Sequence, residues 1–180
     1  MGEIVAAIDC GTNSTRMLIG ESTRSTEVFR TLDRRMMVTR MGEGVDSRRR
    51  FADPAVERVL GVLAGYRQVM EALGVERCRM VATSAAREAS NRDEFFDAAE
   101  ALVGTRPELL SGLEEGQLSF TGAIRDLDPA DGPFLVVDIG GGSTEFVMGT
   151  TEIEGALSCD MGCVRLSEQW IEHDPALPEE

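Results

Sequence analysis

The chain has 180 residues, 42% of them apolar, and a formal charge of −14. That length allows one large domain or two small ones, and the apolar content belongs to a packed protein rather than a disordered one. The acidic balance argues against non-specific nucleic-acid binding, which depends on neutralising phosphates, and no apolar run approaches the roughly 20 residues of a membrane helix.

The N-terminus has an acid at position 3, no basic n-region and Ala at position 6, so neither a signal peptide nor a myristoylation motif is expected. Residues 3–9, EIVAAID, form an apolar run ending in Asp9, with Gly11 close behind. TRMLIGE (15–21) and TEVFRTLDRRMMVTR (26–40) extend it into a β-meander. RMGEGVDSRRR (40–50) reads as a glycine-bearing loop. Asp53-Pro54 starts a helix, with Asp as cap and Pro in the first position. Its apolar residues Val56, Leu60, Leu63, Val69, Met70 and Leu73 keep helical spacing, and Gly74 stops it.

VERCRMVATS (75–84) reads as a strand ending in small hydroxyl residues, followed by a short helical piece, AAREAS. Asn91 with Glu94 makes a capping-box-like start for a helix to about Leu102. ELL (108–110) is a short strand, and Ser111 opens a helix to about Leu127. DPADGP (128–133) is the clearest turn cluster and the expected domain boundary. FLVVDI (134–139), STEFVMG (143–149) and TTEIEGALSCD (150–160) form a second meander, and residues 163–172 look helical. The order is βββαβαβα, a linker, then βββα. The expected domains are 1–127 and 134–180, joined by 128–133. Both meanders begin strand–Asp–x–Gly–turn–strand, AAIDCGTNSTRMLIG and LVVDIGGGSTEFVMG, which reads as an internal duplication.

A carboxylate at the end of a buried strand sits at the mouth of a sheet. Glycines after it let backbone N–H groups approach an anion, and hydroxyls add further donors. A carboxylate repels phosphate unless a hard cation lies between them, as Mg²⁺ does with one or two carboxylates, waters and phosphate oxygens. Asp138 is therefore a metal-bridge candidate, Gly140, Gly141, Gly142, Ser143 and Thr144 a phosphate cradle, and Glu145 a second carboxylate for metal or water. Asp9 with Gly11, Thr12, Asn13 and Ser14 would form an opposing jaw, so that the two hairpins clamp one phosphate chain across a cleft; alone, that stretch also reads as a tight Asx-type hairpin.

Glu114 suits a capping box, whereas Glu115 points about 100° further around the helix. Arg87 reads either as a bidentate phosphate clamp or as a salt-bridge partner. The arginines between Arg24 and Arg50 read as a solvated face or as an electropositive rim that draws in a polyanion. The chain contains no lysine, one histidine (His173) and four cysteines, Cys10, Cys78, Cys159 and Cys163. Their spacing fits neither zinc nor a redox pair, and a reducing cytoplasm fits best. Acid–base work falls to carboxylates.

AAIDCGTNSTRMLIG, TRMGEGVD, ATSAAREASN, LLSGLEEGQLSFTGA, VVDIGGGSTEFVMG and MGCVRLSEQW occur in the order found in the exopolyphosphatase / guanosine pentaphosphate phosphohydrolase (Ppx/GppA) family, which the chain resembles over nearly its whole length. The resemblance implies an α/β fold of the sugar kinase/actin-like ATPase superfamily: a ribonuclease H-like domain with a mixed sheet, then the opening meander and a helix of a second, incomplete one. It implies Mg²⁺- or Mn²⁺-dependent hydrolysis of a terminal phosphoanhydride in polyphosphate or pppGpp, with no nucleic-acid or membrane partner. By the same resemblance Glu115 falls on the water-activating base, Glu145 on a second essential carboxylate, and Asp138 on a metal-linked acid, with Asp9 as a further metal candidate. Gly141, Gly142, Ser143 and Thr144, with Asn13 and Ser14, fall on phosphate contacts, and Arg87 on the arginine of the T-S-A-x-R-E-like stretch. The chain departs in reading SGLEEG where SGEEEA-like text is usual, which removes one acid but keeps Glu115. It also stops short of the family's length, so a non-catalytic phosphate or nucleotide binder is one alternative and a kinase or ATPase of the superfamily another. The edges of an unfinished second domain point to instability or a homodimer.

Overall fold

The structure is a computed structural model describing residues 2–22, 29–173 and 175–178. Arg24 and the first part of the expected third strand lie outside them. The chain forms two compact units, Met1–Leu109 and Leu110–Glu180.

The first unit holds β1 (Glu3–Cys10), β2 (Ser14–Ser22), β3 (Phe29–Val38), β4 (Arg77–Ala82) and β5 (Glu108–Leu109) in one sheet of order β3-β2-β1-β4-β5. β1, β2 and β3 run antiparallel, while β4 and β5 run parallel to β1. A meander followed by parallel crossovers is the mixed sheet of the ribonuclease H-like, actin-like ATPase fold, as the sequence reading expects.

Its helices are α1 (Val45–Arg48), α2 (Asp53–Ala72), α3 (Ser84–Glu88) and α4 (Arg92–Val103). α2 buries Ala55, Val59, Leu63, Tyr66 and Met70, so Val59 and Tyr66 complete a stripe of which Val56 and Leu60 are only the half-buried flank. The Tyr66 hydroxyl donates to the Thr15 carbonyl at 2.9 Å, which satisfies the one polar atom this stripe carries inward. The core closes on Ile8, Met17, Ile19, Met80, Phe51 and Phe95, the last two in edge-to-face contact at 5.7 Å.

Two expected helix starts differ. Ala52, not Asp53, is the cap of α2; Asp53 lies in the first turn with Pro54. Asn91 precedes α4 but makes no capping bond. Its amide instead accepts from Phe51 N at 2.9 Å and donates to Phe51 O at 3.2 Å. A buried backbone pair without water needs those partners more than an exposed helix end does.

The second unit holds α5 (Gly112–Ile124), a 3-10 turn (Pro129–Asp131), and the antiparallel sheet β6 (Phe134–Ile139), β7 (Thr144–Gly149) and β8 (Ile153–Cys159), followed by α6 (Cys163–Trp170). α5, which the sequence order groups with the first domain, packs on β6, β7 and β8. The division between the compact units falls before α5, at Leu109–Leu110, whereas the sequence reading put the boundary in the 128–133 turn.

Candidate active site

Both Asp-x-Gly hairpins close through two-residue turns. Gly11 N donates to Ser14 O at 3.0 Å around Thr12-Asn13, and Gly140 N donates to Ser143 O at 2.9 Å around Gly141-Gly142. Asp9 and Asp138 occupy matching positions, one residue before the last of β1 and of β6. The duplication read in the sequence is thus a duplication of register.

Each turn is fixed from outside through its carbonyls. In the first unit Thr39 N and Arg40 N donate to Asn13 O at 3.0 and 2.9 Å, and Gly42 N donates to Thr12 O at 2.8 Å. In the second, Cys163 N donates to Gly140 O at 3.0 Å, and Val164 N and Arg165 N donate to Gly141 O at 2.8 and 3.0 Å. The Arg165 guanidinium adds a 2.9 Å bond to Gly142 O. A trans peptide is planar, with its C=O and the following N–H on opposite sides. Pointing these carbonyls at the start of α6 therefore turns the N–H groups of Gly141, Gly142 and Ser143 away from it. Successive N–H groups on one side form an anion-binding concavity. The N–H groups of α6's first turn are spent on the glycine carbonyls, so the turn, not the helix end, is the candidate cradle.

The side chains of the two cradles are less available than their backbones. Thr12 is buried and its hydroxyl accepts from Ala85 N at 3.2 Å, which seats α3 on the first turn and brings the helix carrying Arg87 to it. Arg87 is half-buried. Asn13 and Ser14 are half-exposed. In the second cradle Ser143 is buried, and Thr144 gives its hydroxyl to Met161 O at 2.5 Å.

The acids of the second unit form one row. Asp138 on β6 pairs with Glu145 on β7, and Glu145 pairs with Ser158 on β8. Directly opposed residues share a sheet face, here the face α5 covers. Gly112, Glu115, Gly116 and Ser119 fall at i, i+3, i+4 and i+7 of α5, one side of a helix. A side chain at Gly112 would collide with Ser158, and one at Gly116 would press on Val147 and Glu145. The glycines let the helix backbone lie on the acid row, and the same stripe carries Glu115, half-buried, toward it. Ser111 and Glu114 complete the expected capping box: Ser111 Oγ accepts from Glu114 N at 3.2 Å, and Glu114 Oε2 accepts from Ser111 N at 2.8 Å. Glu114 is thereby committed to the helix end and Glu115 is the acid of the stripe.

Two serines that the sequence reading passed over hold the row. Ser119 donates to Asp138 Oδ2, and Ser158 donates to Glu145 Oε1 at 2.8 Å. Glu145 is 1% exposed, and its Oε2 has no hydrogen-bond partner among the described residues. In the first unit the residue opposite Asp9 is Arg16 rather than an acid. The acid pair is a property of the second hairpin alone. Among the described residues no group of three or more His, Cys, Asp or Glu gathers into a metal cage. Two hard oxygen donors with one orphaned buried oxygen suit a cation that takes its other ligands from water and phosphate, which is how Mg²⁺ binds.

The arginine-rich stretch is largely paired. Arg30 meets Glu21 at 2.7 Å, Arg35 meets Asp33 at 2.9 Å, and Arg49 meets Glu88 at 2.5 Å. A groove of about 590 Å³ lies between β3 and α2, bordered by Arg34, Arg58, Met36 and Met37. No described helix is long and apolar enough to cross a membrane.

A family model described as the Ppx/GppA phosphatase family matches residues 18–180. Exopolyphosphatase 2 of Mycobacterium tuberculosis (strain H37Rv) is 44% identical over 98% of this chain and 57% of its own length. Among solved structures, an exopolyphosphatase-like protein superposes with a TM-score of 0.92 at 41% identity, covering 98% of this chain and 56% of its own. An exopolyphosphatase from Cytophaga hutchinsonii follows at 0.90 and 29%, with the same coverage. The chain spans little more than half the length of these relatives.

Proposed function

Because the chain belongs to the Ppx/GppA phosphatase family, we propose that it serves hydrolysis of the terminal phosphoanhydride of inorganic polyphosphate, with pppGpp as a substrate presenting the same kind of anhydride end. The observation that carries this reading is the acid row Asp138–Glu145 beneath the α5 stripe that bears Glu115, beside a glycine turn whose N–H groups face away from α6.

Glu115 accepts a proton from a water as that water's oxygen bonds to the terminal phosphorus. The bridging P–O bond breaks, and its electrons stay with the shortened chain. Orthophosphate leaves, and the proton on Glu115 passes to solvent. The N–H groups of Gly141, Gly142 and Ser143 hold the phosphoryl oxygens, so that catalysis is mainly positioning and electrostatics. Thr144 supports the turn through its bond to Met161 O rather than through a free hydroxyl. Within the first unit, Asn13, Ser14 and Arg87 are the proposed phosphate-binding side chains, with Gly11 and Thr12 shaping their turn. In the second unit Asp138 and Glu145 would hold Mg²⁺ or Mn²⁺, which when bound screens phosphate charge, and in the first unit Asp9 is the proposed metal-binding acid. The cytoplasm is the proposed compartment.

Glu115→Gln keeps the side chain's size and removes its basicity. Orthophosphate release should fall at least ~100-fold, while binding of labelled polyphosphate stays within about threefold. Normal release by this variant rejects the base assignment. Tight binding without release by the unaltered chain replaces hydrolysis by a purely binding role.

A further inference from the structure

Two carboxylates stand side by side on β6 and β7, and each is held at one oxygen by a serine hydroxyl. Ser119 takes Asp138 Oδ2, and Ser158 takes Glu145 Oε1. Of the remaining oxygens, Glu145 Oε2 is buried and has no hydrogen-bond partner among the described residues. The two serines come from different elements, one from the third turn of α5 and one from the edge strand β8. An unrestrained carboxylate rotates about its last bond and offers either oxygen or both. A hydroxyl bonded to one oxygen restrains that rotation and leaves the other oxygen as the unshared one.

We propose that Ser119 and Ser158 are positioning residues that set Asp138 and Glu145 as single-oxygen donors to a hard divalent cation. The inference rests on the reading of those two acids as the ones that meet the cation. Local economy alone does not explain the serines. Ser119 sits mid-helix, where serine is a weaker helix former than alanine. Gly112 is bare where any side chain would strike Ser158, so the start of α5 is shaped to admit that hydroxyl. Partners one bond removed from a metal ligand commonly govern affinity by 10- to 100-fold.

The experiment is Mn²⁺ binding by electron paramagnetic resonance, with the thermal melt of each variant as a check on folding. Asp138→Asn should abolish binding. Ser119→Ala and Ser158→Ala should each raise the Mn²⁺ Kd at least ~10-fold without a matching loss of melting temperature, and Ser119→Thr, which keeps the hydroxyl, should restore it. If alanine unfolds the chain, Ser119→Cys and Ser158→Cys replace it, since a thiol is a weak donor of similar size; the same tenfold criterion applies. Folded serine variants with unchanged Kd, beside an Asp138→Asn variant that has lost binding, overturn this inference and leave the acid assignment standing. Mn²⁺ binding indifferent to both Asp138→Asn and Glu145→Gln, or absent from the unaltered chain, overturns both.

Discussion

Cys10 closes β1 next to Asp9, fully buried, and burial followed by the Asp9 charge pushes its thiol well above the ordinary value of 9.0. In the unfolded chain the thiol ionises first. Its contribution to stability is therefore whole below about pH 9 and declines as pH rises beyond it, by up to ~1.4 kcal/mol per pH unit. Urea unfolding at pH 8 and pH 10.5 should show a steeper loss for the unaltered chain than for Cys10→Ala; parallel losses refute the assignment. The Ser111–Glu114 box was readable in the sequence because it depends on residues adjacent in the chain. The Asn91 box was not readable rightly, since the competing partner, Phe51, lies far away in sequence. Ser119 escaped notice for the same reason: nothing near it marks Asp138 as its acceptor.

Among elements, the hairpins repeat further than their Asp-x-Gly signature. Met41-Gly42 and Met161-Gly162 both bring a glycine against a turn, Gly42 under Thr12 and Gly162 under Gly141. The sequence hid this pairing because the segments that connect each turn to its Met-Gly differ in length and structure. A side chain on Gly162 would collide with the Gly141 carbonyl, backbone against backbone, whereas one on Gly155 would meet open space. Gly162→Ala should cost about 1–3 kcal/mol in urea unfolding and weaken polyphosphate binding, while Gly155→Ala should leave both unchanged. Equal behaviour of the two variants would remove the role given to α6 in fixing the cradle. The placement of α5 shows the other boundary of sequence reading. Its periodicity marks an inward stripe, but periodicity does not say which sheet the stripe covers, and here it is the second.

At the scale of the whole molecule, the strand–turn pattern disclosed the two meanders and the family resemblance implied the actin-like fold, whereas the exposure of the second sheet emerges only from the folded chain. On the face opposite α5, Leu135, Val137 and Ile139 of β6 are 64%, 44% and 71% exposed, and Leu157 of β8 is 58% exposed. The matching face of the first sheet, with Ile8, Met17 and Ile19, is buried against helices. An open apolar face of this kind promotes association. Sedimentation velocity should find the 180-residue chain self-associated, and Ile139→Glu with Leu157→Glu should shift it toward monomer; an unaltered distribution would place the contact elsewhere. The reading of the molecule as a polyphosphate-cleaving unit is met most directly by phosphorus NMR of long-chain polyphosphate incubated with the chain and Mg²⁺. Orthophosphate should accumulate from chain ends with the unaltered chain and all but cease with Glu115→Gln. Orthophosphate from neither, or equal release from both, would contradict it.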